Sequence, residues 1–160
     1  KGTVEENLRM AKTDVSKEEM EAVLQKVNLL GFLQTQDGLQ TKLQEKAGNL
    51  SGGQCQRLVI ARALLKDAVA YIFDEATSNI DVESEELIMD VIHELAKKRT
   101  VLLISHRLAN VVKSDRIYFL KDGKIKESGK HEELMQKNGA YRHLYESQMA
   151  LENYGKWDNR

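Results

Sequence analysis

Leu50-Ser51-Gly52-Gly53-Gln54 places two glycines in the first turn of a helix that Ser51 would cap. Glycine there costs about 1 kcal/mol each relative to alanine, so the pattern makes sense where another group must approach the backbone closely. Helix N-terminal amides and the helix dipole form an anion site, and a phosphate is the natural occupant. A plain capping box between Ser51 and Gln54, with the glycines as a loop end, is the competing account. Asp74-Glu75 directly follows the apolar run Val69 to Phe73, at the carboxyl end where open α/β sheets place their ligands. Asp74 suits a hydrated Mg²⁺, and Glu75 suits a water attacking a terminal phosphate in line. Acidic residues also precede helices merely to favour the N-terminal dipole, which is the bland alternative. His106 sits just after the run Val101 to Ser105, on the same expected rim, where an imidazole could donate to a phosphate oxygen. His93, His131 and His143 have no partner at ligand spacing and read as surface or capping residues; no zinc or haem arrangement is present.

The elements that must position these residues follow from periodicity. Ser16 with Glu19 is a capping box, and Met20, Val23, Leu24, Val27 and Leu30 recur at helical spacing until Gly31 supplies a stop. Thr35 to Asn49 is polar and reads as a connecting loop. A second helix is expected from Ser51 to about Lys66, largely buried because Leu58 to Leu65 is apolar nearly all round. Val69 to Phe73 and Val101 to Ile104 are continuous apolar runs, which predicts parallel strands buried on both faces. Leu87, Ile88, Val91, Ile92 and Leu95 mark the crossover helix between them, a βαβ unit with right-handed connection expected. Ile117 to Leu120, then Asp122-Gly123, then Ile125 onward predicts a hairpin. Tyr141, Leu144 and Tyr145 predict a closing helix, with the polar residues from Glu152 to Arg160 expected to fray.

Composition bounds the class. The 160 residues carry 24 Lys plus Arg against 25 Asp plus Glu, a net charge of -1, which offers no electrostatic case for nucleic acid or anionic membrane. A chain of this length can bury roughly two-thirds of its surface, enough for a core without staples. Cys55 is the one cysteine and cannot form an internal disulfide, which favours a reducing compartment. The longest apolar runs are far below the ~20 residues needed to span a bilayer. The start at Lys1, with no initiator Met and no signal stretch, is read as an excerpt of a longer chain.

Taken in order, these motifs resemble the second half of the nucleotide-binding domain of an ATP-binding cassette (ABC) transporter. Leu50-Ser51-Gly52-Gly53-Gln54 matches the signature motif, and Gln56-Arg57 through Ala61-Arg62-Ala63-Leu64 resembles the helix after it. Asp74-Glu75-Ala76-Thr77-Ser78 resembles the Walker B end, Ser78-Asn79-Ile80-Asp81 the D-loop, and Ser105-His106-Arg107 the switch-histidine loop. Gly2-Thr3-Val4-Glu5-Glu6-Asn7 and Gly139-Ala140-Tyr141 through Tyr145 resemble the exporter-type branch. Departures are Cys55, where a basic residue is frequent, Ala47 for a common glycine and Ile80 for the usual D-loop leucine. No Gly-x-x-x-x-Gly-Lys-Ser/Thr phosphate cradle (Walker A) occurs, and neither the adenine-stacking aromatic nor the Q-loop glutamine can be placed.

The resemblance implies an α/β fold, a partial P-loop NTPase with a parallel sheet core and a helical subdomain. The expected divisions are a helical subdomain over 1–66, a catalytic core portion over 67–150 and a tail over 151–160. It implies an ATPase coupled to transport across a membrane, in the export direction, at the cytoplasmic face, with ATP and Mg²⁺ as cofactors. Partners implied are the transporter's transmembrane domain and a second cassette, in a homodimer or heterodimer; no nucleic acid is expected. Asp74 would hold metal, while Glu75 and His106 would act on ATP bound by this chain's own cradle. Leu50, Ser51, Gly52, Gly53 and Gln54 would meet ATP held by the partner, with Asp81 linking the two sites. The 160 residues alone are expected to bind ATP poorly, to hydrolyse it at no useful rate, and to self-associate through open sheet edges. Two other readings stay open: a soluble ABC-type ATPase of nucleic-acid repair or translation, and a non-catalytic domain that keeps the signature only as a helix cap.

Overall fold

The first eleven residues already contain a reciprocal cap. Thr3 Oγ1 accepts from the Glu6 N–H at 3.1 Å and Glu6 Oε2 accepts from the Thr3 N–H at 2.9 Å, which satisfies two orphan donors at the start of helix α1 (Val4–Arg9). The computed structural model describes residues 2–44, 48–78 and 80–157, with side chains through residue 151. It contains two compact units, Lys1–Ile104 and Ser105–Arg160.

In the first unit, the short strand β1 (Gly2–Thr3) precedes α1. The expected Ser16 to Glu19 box opens α2 (Lys17–Lys26). Its stop is not Gly31: Asn28 takes a left-handed backbone (φ 51°) and ends the helix earlier, while Gly31 lies inside a further helix, α3 (Leu30–Gln34). The expected loop Thr35 to Asn49 contains a 3-10 turn at Gly38–Gln40 and a strand, β2 (Lys42–Leu43), antiparallel to β1. Two-residue pairing leaves no periodicity to read. Residues 45–47, including Ala47, lie outside the described residues.

Helix α4 (Gly52–Leu65) starts at Ser51 as expected. Leu58, Ile60 and Ala61 face the core, whereas Val59 is 53% exposed, so burial follows one face and not the whole apolar run. Strands β3 (Ala70–Asp74) and β4 (Thr100–Ile104) are parallel and joined by α5 (Val82–Ala96), the expected βαβ unit. Tyr71 and Phe73 are buried in one cluster with Ile88 and Ile92 of α5. The expectation of burial on both faces fails here: Ile72 is 70% exposed, and Leu102 and Ile104 are also exposed. Alternate residues point to opposite faces of a strand, and in this unit only one face is covered.

In the second unit, β5 (Ile117–Lys121) and β6 (Lys124–Gly129) form the expected hairpin. Asp122 (φ 53°) and Gly123 (φ 68°) both adopt left-handed backbone, the turn whose twist matches the flanking strands. Helices α6 (His131–Gln136) and α7 (Ala140–Trp157) follow. Glu127 Oε1 accepts from the Ala140 N–H at 2.6 Å and the Tyr141 N–H at 3.3 Å, so β6 supplies the anion that caps α7. Tyr141 is fully buried, and its hydroxyl lies 2.8 Å from His131 Nδ1. The helix backbone continues to Trp157, well into the segment expected to fray; residues 158–160 lie outside the described residues.

Candidate functional site

The N-terminus of α4 is built as a capping box. Ser51 Oγ accepts from the Gln54 N–H at 3.2 Å, and Gln54 Oε1 accepts from the Ser51 N–H at 2.9 Å. The hydroxyl retains its own proton as a donor. The first intrahelical bond runs from the Cys55 N–H to the Ser51 carbonyl at 2.9 Å, so the Gly52 and Gly53 amides precede it and have no acceptor one turn back. Ser51 and Gly52 are exposed. The capping box leaves room for the anion-site account, because it uses a Ser51 lone pair and neither the Ser51 O–H nor the amide of the exposed Gly52, whereas Gly53 is buried.

The two glycines have different reasons. A Cβ on Gly53 would lie 2.2 Å from Ser84 Oγ and 2.4 Å from Ser84 Cβ. The group that approaches this backbone is a side chain of α5, so Gly53 is dictated by helix packing. Leu50 packs against the same core. Cys55 is half-buried, with Sγ 4.0 Å from the Leu50 carbonyl oxygen, and burial pushes its thiol up.

Asp81 caps α5: its Oδ1 accepts from the Ser84 N–H at 2.8 Å. Hydrogen bonding to the Ser84 backbone, then to its side chain, holds the Asp81 carboxyl below the usual range. Its Oδ2 lies 3.5 Å from where a Gly53 Cβ would sit. The expected interface residue thus borders the start of the signature helix of its own chain. Ser84, which mediates this, was missed by motif reading; Asp-x-x-Ser at a helix start was the available signal.

Asp74 ends β3, exposed and paired in register with Ile104. Glu75 continues the ladder, donating its N–H to the Ile104 carbonyl at 3.0 Å. Its backbone then turns left-handed (φ 49°), and its carbonyl accepts from the Ser78 N–H at 3.0 Å. Such a conformation costs a non-glycine residue about 1 kcal/mol or more and collects at functional sites. The result carries an exposed Glu75 side chain off the carboxyl end of the sheet. Asn79 of the expected D-loop lies outside the described residues.

The chain leaves β4 at Ile104, the residue paired with Asp74. In the second unit Ser105 Oγ accepts from the Arg107 N–H at 3.0 Å and donates to the Arg107 carbonyl at 3.1 Å, closing a turn over His106. Gln148 of α7 donates from Nε2 to the His106 carbonyl at 2.7 Å and accepts at Oε1 from the Leu108 N–H at 2.9 Å. The His106 side chain is exposed. Of the other histidines, His131 is bonded to Tyr141, and the buried His93 Nε2 has no hydrogen-bond partner among the described residues. Among the described residues no group of three His, Cys, Asp or Glu side chains could hold a metal. A hydrated Mg²⁺ held between one carboxylate and a bound phosphate needs no such cage, and the exposed Asp74 carboxylate fits that donor set.

A parallel strand pair that ends in Asp-Glu, with a capped diglycine helix packed beside the crossover helix, defines a nucleotide-binding cassette. The family profile described as ABC transporter matches residues 1–78, and the chain belongs to the ATP-binding cassette family. It is 52% identical over 152 residues to an uncharacterized ABC transporter ATP-binding protein of Haemophilus influenzae, covering 95% of this chain and 27% of that protein. It is 43% identical over 150 residues to the ATP-dependent lipid A-core flippase of Vibrio vulnificus, covering 92% and 26% respectively. Its fold is similar to that of a bacterial Atm1-family ABC exporter with ATP bound, with a TM-score of 0.83 and 32% identity over 92% of this chain and 26% of that one. The chain spans about a quarter of the length of these relatives. No helix among the described residues is long and apolar enough to cross a membrane.

Proposed function

We propose that this chain is the C-terminal part of the ATP-binding domain of an ABC exporter and couples ATP binding and hydrolysis at a cassette dimer to transport across a membrane. The observation that carries the reading is the Asp74-Glu75 pair, which stands at the carboxyl end of a parallel strand packed on one face, with Glu75 turned by its left-handed backbone. Bound Mg-ATP would supply the electrophilic phosphorus and its leaving group. Asp74 would hold the metal through a hard oxygen. Glu75 would accept a proton from the attacking water, and His106 would donate a hydrogen bond to a phosphate oxygen. Ser51, Gly52 and Gly53 would offer one hydroxyl and two amides to the nucleotide of the partner cassette. Leu50 would anchor that loop in the core, Gln54 would hold Ser51 in place, and Asp81 would link the two sites.

The partners in this reading are the transporter's transmembrane domain and a second cassette, with this domain at the cytoplasmic face. The divisions 1–66, 67–150 and 151–160 are offered as its functional parts. The test is ATP turnover by the intact transporter: Glu75→Gln should abolish it while leaving ATP binding in place. Full turnover in that variant would overturn the reading.

A further inference from the structure

The peptide unit between His106 and Arg107 is tied at both ends. Its carbonyl accepts from Gln148 Nε2 at 2.7 Å and its N–H donates to Ser105 Oγ at 3.0 Å. Gln148 adds a second bond, to the Leu108 N–H, at 2.9 Å. The Ser105 bond closes a ring through the His106 backbone and the Gln148 bond holds the peptide plane after it, so together they restrict the two soft torsions of His106 and the direction in which its side chain leaves the chain. We propose that Gln148 is a positioning residue for His106, so that the C-terminal helix sets where the imidazole can reach. The proposal rests on the reading of His106 as the residue that contacts phosphate.

Gln148 can do this because α7 is itself held in register. Glu127 caps its first turn and Tyr141 is fully buried. Gln148 lies seven residues after Tyr141, two helical turns on and on the same face. The chemistry also specifies the residue type. The clamp needs a donor and an acceptor on one planar group. Leucine offers neither, ionised glutamate offers acceptors only, and asparagine is one methylene shorter. Orientation of a reacting or charge-stabilising group by a distant support is where small displacements reduce turnover without changing substrate affinity.

The test uses the intact transporter and the variants Gln148→Leu, Gln148→Glu, His106→Ala and the double variant Gln148→Leu/His106→Ala. Steady-state kcat and KM for ATP and the thermal midpoint are measured for each. Gln148→Leu should lower kcat by roughly tenfold, with KM changed less than about twofold and the midpoint unmoved. Added to His106→Ala it should cause no further loss, because the residue it positions is gone. Gln148→Glu should also lower kcat, since it cannot donate to the His106 carbonyl, and it carries the comparison if the leucine variant does not fold. Three outcomes are decisive. Unchanged kcat in both Gln148 variants beside a severe loss in His106→Ala overturns the positioning role alone. An equal loss from Gln148→Leu with and without His106 reduces it to a packing residue. Full turnover in His106→Ala removes the reading on which the proposal rests.

Discussion

Gly53 and Ser84 stand in such close contact that a Cβ on Gly53 would sit 2.2 Å from the Ser84 hydroxyl oxygen and 2.4 Å from its Cβ. This contact locks the start of the signature helix α4 to the start of α5, whose cap is Asp81. Gly53→Ala should therefore destabilise the domain by about 1–3 kcal/mol through overpacking. Ser84→Gly should recover part of that loss in the double variant, because both clashing atoms are removed. Urea unfolding of the four members of the cycle checks it; additive effects would mean that the two helices separate easily.

Ser51 is predicted to separate stability from function. Ser51→Ala should cost about 1 kcal/mol, the usual loss of an N-cap. Ser51→Asp should keep the cap and the stability, since aspartate caps as well and favours the helix dipole. It should nevertheless weaken ATP-driven cassette pairing, because in the proposed reading a carboxylate would replace the hydroxyl offered to the partner's triphosphate. Pairing as strong as in the parent, measured by ATP-dependent crosslinking, would support a cap and nothing more.

Gly52 is exposed and packs differently from Gly53. Gly52→Ala should leave stability equal or raise it by up to about 1 kcal/mol, while lowering ATP turnover of the intact transporter. Undiminished turnover would favour the non-catalytic helix-cap reading.

Glu75, the proposed general base, has a left-handed backbone (φ 49°). Glu75→Gln keeps the strain and should lower turnover by roughly 10²- to 10⁴-fold, the range for a general base, with an unfolding midpoint like the parent's. Glu75→Gly should also lose turnover and yet relieve up to about 1 kcal/mol of backbone cost. A destabilised glycine variant would show that the Glu75 side chain supports the fold.

Asp81 predicts the acid limb of stability. Its folded pKa is lowered by the Ser84 hydrogen bonds, so the stabilisation is present above the unfolded value of about 3.9 and is lost as pH falls through the lower folded value. Asp81→Asn, a neutral cap, should flatten the fall of the thermal midpoint between about pH 5 and pH 3. An unchanged slope would mean that this carboxylate is not bonded in the folded state.

What could be read from the chain alone was the local physics and the order of the motifs. The Ser16 to Glu19 and Ser51 to Gln54 boxes, the Asp122-Gly123 turn and the parallel strand pair all depend on residues within a few positions of one another or on continuous apolar runs. Their order carried the family likeness. Partners far apart in sequence were invisible to that reading. Lys42–Leu43 became a strand because Gly2–Thr3 pairs with it. Gln40 holds Glu5 across 35 positions, and Gln148 holds the backbone at His106 across 42. Residue type was likewise ambiguous until neighbours were known: Gly53 and Gly52 look alike in sequence, but Gly53 is buried against Ser84 and Gly52 is exposed. Composition and spacing constrain short-range hydrogen bonding strongly. Steric exclusion, exposure of alternate strand faces and long-range clamps depend on which surfaces meet, and folding alone decides that.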